Sequence, residues 1–205
     1  MPTLLLATNN LGKLKEMKAI LASLAFTLTS PDDAGITLEV VEDGNTYAEN
    51  ASRKALAFTQ ASGLVTLADD SGLEVDVLGG KPGLHSHRFA PWPDATDADR
   101  RRYLLEQLKP YQRPWDAHFH CTVAIATPEG QVFYAEGDCP GEIIPEERGS
   151  NGFGYDPIFY IAGYKATMAE LDTDVKNLIS HRARAMVKAI PLLHEIFGLS
   201  PAHFV

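Results

Sequence analysis

The chain has 205 residues, 45% of them hydrophobic and 22% charged, the balance of an ordinary globular protein with enough length for one sizeable core. A formal charge of −9 argues against a general nucleic-acid binder, which needs a surface excess of Lys and Arg, and it makes any anionic small ligand depend on a local group of cations or a metal ion. Cys121 and Cys139 are too few for a disulfide framework and lie in no metal-binding spacing, so both are expected as buried thiols. The apolar N-terminal run is too short for a signal sequence, and no stretch approaches about 18 apolar residues, so the expected setting is cytoplasmic, away from any membrane.

Thr3 to Ala7 reads as a buried strand. After the polar turn Thr8-Asn9-Asn10-Leu11-Gly12-Lys13, Leu14, Met17, Leu21 and Leu24 recur at helical spacing. Thr46-x-x-Glu49 is a capping box, in which a hydroxyl and a carboxylate satisfy orphan N–H groups; it opens a second helix with Ala51, Ala55 and Phe58 on one face and an end near Gly63. Leu64 to Ala68 and Leu73 to Val77 read as two strands flanking an Asp69-Asp70 turn, with Gly79-Gly80-Lys81-Pro82-Gly83 closing the second. Thr96-x-x-Asp99 starts another helix, continued by Tyr103, Leu104 and Leu108. Phe119 to Ala126 and Val132 to Glu136, joined by Pro128-Glu129-Gly130, read as an antiparallel hairpin, so the sheet is expected to be mixed. A last helix is expected from about Ser180 through Phe197, with Pro191 predicting a kink or a break. No repeat or linker divides the chain, which reads as a single domain over 1–205.

Four segments carry candidate chemistry. The Thr8–Lys13 turn brings helix N–H groups, the Thr8 and Asn10 side chains and Lys13 to where a phosphate can bind, although it lacks the Walker A pattern. Asp69 and Asp70 repel one another unless cations or hydrogen bonds compensate; Glu42 adds oxygen of the type Mg2+ prefers, so one acid can hold a metal while Asp70 takes a proton from water. Ser150-Asn151-Gly152-Phe153-Gly154-Tyr155-Asp156-Pro157 sets an aromatic face and a carboxylate among glycines, a grip suited to a nucleobase. Ser180-His181-Arg182, with Lys176 before it, falls at a helix start, and Arg182 is a donor suited to a base carbonyl. His118 and His120 share a strand face without a third soft ligand and read as structural or surface groups, as do His85 and His87.

These segments occur in order along nearly the whole chain: Thr8, Asn10 and Lys13 in a [ST]-x-N-x-x-K opening, EDGNTYAENA with Lys54 after it, ADDSGLEVDVLGGKPG, GSNGFGYDPIF, and MAEL followed by Lys176 and Ser180-His181-Arg182. The sequence thereby resembles the inosine triphosphate pyrophosphatase family, which clears ITP, dITP and XTP. The resemblance implies an α/β fold, an elongated mixed β-sheet with flanking helices forming two lobes around a nucleotide cleft, and a homodimer. It implies Asp70 as general base, and Glu42 with Asp70 as holders of Mg2+. Lys13, Lys54 and Lys176 would steady the triphosphate. Thr8, Asn9, Asn10, Leu11, Gly12 and Ser71 would touch the substrate. Phe153, with Gly154 and Tyr155, would hold the purine, while Asp156, His181 and Arg182 read its edge. The implied reaction splits the α and β phosphates to a monophosphate and pyrophosphate. Pro82-Gly83-Leu84-His85-Ser86-His87-Arg88 departs from the family's PGxxSAR, and Pro191 interrupts the terminal helix. Two other readings compete: a Maf-like pyrophosphatase, which the FGYDPIF and SHR segments disfavour, and a nucleotide sensor without catalysis, which the acidic group disfavours.

Overall fold

The computed structural model describes residues 1–199, so the last six residues of the expected 1–205 domain lie outside the described residues. Strand β1 (Thr3–Leu6) leads into helix α1 (Leu11–Ile20), whose N-cap Asn10 accepts a hydrogen bond from the Lys13 N–H. A short strand β2 (Thr27–Thr29), too brief and too polar to register as a strand in the sequence, runs parallel to β1. Helix α2 (Tyr47–Ser62) begins at its Thr46 cap and ends at Gly63, which takes a left-handed conformation with φ of 70°.

Strand β3 is where sequence and structure differ most. It is one strand of 11 residues, Val65–Val75, and Asp69 and Asp70 lie inside it. The expected turn does not form. An Asp pair marks a turn when its charges need water, but here buried cations take water's place, and the backbone stays extended.

Beyond β3 come the brief strand β4 (Lys81–Pro82) and helix α3 (Asp97–Leu108), which starts with the reciprocal Thr96/Asp99 capping box. Strands β5 (Trp115–Ala126) and β6 (Val132–Ile143) form the expected hairpin but extend it. The expected end at Glu136 is passed, and at its far end Glu142 and Ile143 pair with Tyr160 and Phe159 of β7 (Phe159–Ile161). Strand β8 (Ala166–Thr167) and helix α4 (Thr173–Ile179) follow. Helix α5 (His181–Ile196) runs on through Pro191 without a break. Val187, whose carbonyl loses its helical donor to the proline, is exposed, so water can satisfy that oxygen. The described strands form a sheet in the order β2-β1-β3-β5-β6-β7-β8, with β4 paired to β3. Parallel pairing of β1 with β2 and β3 and antiparallel pairing at β6, β7 and β8 make it mixed, as expected.

The chain divides into two compact units, each assembled from separated stretches. The first comprises residues 1–70, 121–137 and those from 182 on. Alternate residues of β1 and β3 face opposite ways there. Leu4, Leu6 and Leu67 pack with Met17 of α1 and Met186 and Ile190 of α5, whereas Leu5, Ala7 and Ala68 pack with Ala55 and Phe58 of α2. Removing the Phe58 ring, which is almost fully buried, would cost about 3–5 kcal/mol. The second unit, residues 71–120 and 138–181, has its own core of Leu73, Leu104, Leu108, Phe119, Ile143, Tyr155 and Phe159. Among the described residues no helix is long and apolar enough to cross a membrane.

Candidate active site

The alternation of β3 assigns its two acids different surroundings. Asp69 follows Leu67 on the face toward α1 and α5, and Asp70 follows Ala68 on the face toward α2.

Asp69 is fully buried and gathers cations. Its Oδ2 accepts from Lys13 Nζ at 3.1 Å and from Arg182 Nε and Nη2 at 3.1 and 3.0 Å, while Lys54 Nζ donates to its carbonyl oxygen at 3.0 Å. Burial alone would raise its pKa, but Lys13, Arg182 and Lys54 overcome that and hold the carboxyl well below the ordinary range. Its Oδ1 is buried and has no hydrogen-bond partner among the described residues. Cys121 packs beside it; burial, reinforced by the Asp69 charge, pushes the thiol far up, so it stays protonated as a core residue. Cys139 is likewise a buried thiol, as expected.

Asp70 has the opposite character. Burial raises its pKa; a hydrogen bond from Asn50 and the nearby Lys13 and Lys54 pull against that without reversing it. Asn50 Nδ2 donates to Asp70 Oδ2 at 2.9 Å, and Asn50 Oδ1 accepts from the Gly44 N–H at 2.8 Å. Asn50 therefore ties the Asp70 carboxylate to the loop that carries Glu42. Any Cβ at Gly44 would come within 2.7 Å of Asn50 Oδ1, so this close approach requires glycine. Glu42 itself is ion-paired with Lys54. Sequence reasoning passed over Asn50; the available signal was an amide in the first turn of α2, on the turn's buried side.

Thr8 is buried and its Oγ1 accepts from the Asn10 N–H at 3.2 Å; Asn9, Asn10 and Leu11 are exposed at the same turn, with Gly12 and Lys13 half-buried. Lys13 and Lys54 thus stand in one unit with Glu42, Asp69 and Asp70.

The second unit holds the aromatic loop. Asp156 is buried, and its Oδ2 accepts from the Phe153 N–H at 2.8 Å and from Lys176 Nζ at 2.6 Å. The same ammonium lies 4.8 Å from the centroid of the half-buried Phe153 ring. Gly152, at φ of 76°, leaves room for this arrangement: a Cβ there would sit 2.0 Å from Asp156 Oδ2. Tyr155 donates its hydroxyl to the Ser86 carbonyl at 2.9 Å, and burial raises its pKa. His181 stacks on Phe119 with centroids 4.8 Å apart and planes at 16°. Ser71 is half-buried in β3 beside Asp70.

Two sequence expectations change in consequence. Lys176 was grouped with the triphosphate lysines, but its ammonium pairs with Asp156 under the Phe153 ring. Arg182 was expected to read a base carbonyl. Its side chain is 1% exposed, all three of its nitrogens donate to Asp69 or Glu16, and those carboxylates raise its pKa further against the opposing effect of burial. Adjacency with His181 suggested a shared task, yet consecutive helical side chains point about 100° apart, and the division between units falls between His181 and Arg182. His118 and His120 pair with Glu74 and Asp138 at 3.4 and 2.7 Å, consistent with surface roles. Among the described residues no three His, Cys, Asp or Glu side chains are grouped closely enough to hold a metal by themselves.

In this mixed α/β fold one unit sets two lysines among carboxylates, a setting suited to phosphate, and the other sets an aromatic ring beside a buried Lys–Asp pair. The chain belongs to the Ham1 family, whose sequence model matches residues 4–192. It is 47% identical over 196 residues to a dITP/XTP pyrophosphatase of Desulforamulus reducens, covering 95% of this chain and 96% of that one. A dITP/XTP pyrophosphatase of Bacillus licheniformis is 41% identical, with 95% and 100% covered. The solved structure of a HAM1 protein from Coxiella burnetii matches with a TM-score of 0.85 and 39% identity, covering 95% of this chain and 100% of that one.

Proposed function

We propose that this chain is a nucleoside triphosphate pyrophosphohydrolase that clears deaminated purine nucleotides, ITP, dITP and XTP, acting as a single catalytic domain. The observation that carries the reading is the pair of successive acids in β3, Asp69 bonded to Lys13 and Arg182 and Asp70 held instead by the Asn50 amide. A buried carboxylate with raised pKa is the better proton acceptor, so Asp70 takes the proton from water. The water oxygen bonds to the α phosphorus as the bond from that phosphorus to the bridging oxygen breaks, and the electron pair leaves with pyrophosphate. Lys13 and Lys54 offset the charge that develops on the phosphates. Asn50 orients Asp70 throughout.

The donor set fits Mg2+: Glu42 and Asp70 offer oxygen, the unpartnered Oδ1 of Asp69 lies in the same unit, and this ion commonly takes one or two carboxylates and completes its shell with water and substrate phosphates. Such an ion would supply charge neutralisation and polarise phosphoryl oxygens. In the second unit Phe153 stacks on the purine and Lys176 donates to the carbonyl at C6. An adenine amino group would meet donor with donor, and the unpaired groups would disfavour ATP. Arg182 acts at one remove, by holding Asp69. A homodimer and a cytoplasmic location complete the reading and rest on the family resemblance; light scattering measures the former.

Pyrophosphate release from ITP, dITP, XTP, GTP, ATP and UTP with Mg2+ tests the proposal. Turnover is expected on the first three and should vanish in excess chelator. No release from any of them would refute the reading, and a preference for UTP would favour the Maf-like alternative.

A further inference from the structure

Helix α3 lies far in sequence from every residue assigned to the site, yet its first turns hold both backbone groups of Gly154. The Gly154 N–H donates to Asp97 Oδ2 at 2.8 Å, and Arg101 Nη1 donates to the Gly154 carbonyl at 2.8 Å. Arg101 is itself held by a bidentate pair, Nε and Nη2 to the two oxygens of Glu147 at 2.9 and 2.8 Å. Burial alone would raise the Asp97 pKa, but the Gly154 N–H and Arg100 lower it, so the acceptor remains ionised. Asp97, Arg101, Glu147 and Gly154 all belong to the second unit.

Gly154 needs such a clamp. It adopts φ of 62° between Phe153 and Tyr155, and a glycine left to itself would sample many conformations and carry the Phe153 ring with it. We propose that Asp97 and Arg101 are positioning residues of the nucleotide site, which pre-order the Phe153–Gly154 peptide so that the ring already stands in its stacking position before the base arrives. This rests on the reading that Phe153 stacks on the purine. Neither residue touches substrate; each acts through the loop, removing an ordering cost from binding and leaving the chemistry at Asp70 unchanged.

The test is a double-mutant cycle on full-length protein, with steady-state pyrophosphate release from dITP as the readout. Arg101→Ala is expected to raise KM about 2- to 10-fold, the scale of ordering one side chain on binding, with kcat within about twofold. In a Phe153→Ala background the same change should leave KM unmoved, because no ring remains to be placed. Asp97→Ala should raise KM similarly, whereas Asp97→Asn, which keeps an oxygen to accept from Gly154, should restore it. Glu147→Gln, at a half-exposed position, disturbs Arg101 without a buried loss and should give a smaller rise even if Arg101→Ala folds poorly. An equal rise in both Phe153 backgrounds, or a fall in kcat with KM unchanged, would overturn the inference. If Phe153→Ala alone leaves KM untouched, the stacking reading has failed instead.

Discussion

Asp69 and Asp70 are neighbours in one strand, and exchanging each for Asn should produce opposite phenotypes. Asp70→Asn keeps the volume of the side chain, and the new amide can still present its oxygen to Asn50 Nδ2, now 2.9 Å from the carboxylate. The fold should persist while the proton acceptor is lost. Removal of a general base typically lowers turnover by about 10²–10⁴-fold. At about 1.36 kcal/mol per decade, that is roughly 3–5 kcal/mol of activation free energy. Asp69→Asn acts on stability. It removes the carboxylate that faces the Arg182 guanidinium, buried at 1% exposure, and the Lys13 ammonium, leaving a buried cation short of its partner. Breaking a buried pair in this way costs about 3–5 kcal/mol. For a chain of this size each kcal/mol shifts the melting temperature by about 2–4 °C, so a fall of roughly 6–20 °C is expected. Both variants are assayed for pyrophosphate release from ITP and by thermal unfolding. Turnover of Asp70→Asn within tenfold of wild type would refute the assignment of the base, and a melting temperature of Asp69→Asn equal to wild type would refute the role given to the buried ion cluster.

Phe153→Ala should raise the KM for ITP more than it lowers kcat, with a loss of about 1–3 kcal/mol by analogy with stacking of bases on aromatic rings; an unchanged KM would place the ring in a purely structural role. Lys176→Met should lower kcat/KM for ITP steeply and that for ATP little, so selectivity between them collapses, and an equal fractional loss on both would show that Lys176 serves the fold through Asp156 alone. Acid should destabilise the protein through Asp69. Its folded pKa is depressed, so its contribution is complete above the unfolded carboxylate value of about 4 and disappears as pH falls toward the folded one. Denaturant unfolding at a series of pH values should therefore show a steeper acid loss in wild type than in Asp69→Asn, and parallel curves would contradict this.

Features governed by neighbours in sequence were legible without coordinates. The Thr46 and Thr96 caps set the starts of α2 and α3 through bonds spanning three residues, and Gly63 ends α2 through its own left-handed backbone. A continuous apolar run located β1, two strand-like runs joined by Pro128-Glu129-Gly130 located the β5–β6 hairpin, and the order of the short motifs identified a family that covers residues 4–192. Local rules failed where distant charge intervened. Asp69-Asp70 has the composition of a turn, and only Lys13, Lys54 and Arg182, brought in from three other segments, allow both carboxylates to remain inside an unbroken strand. Arg182 could not be assigned from its neighbour His181, because its partners Asp69 and Glu16 lie 113 and 166 positions away. Lys176 likewise finds Asp156 twenty residues upstream, and Asn50 finds Asp70 twenty downstream. The residue types needed to handle a nucleotide, Asp70 among them, were thus written in the chain, but the partners of Asp69, Arg182 and Lys176 follow from burial and pairing, which exist only once separated segments have folded against one another.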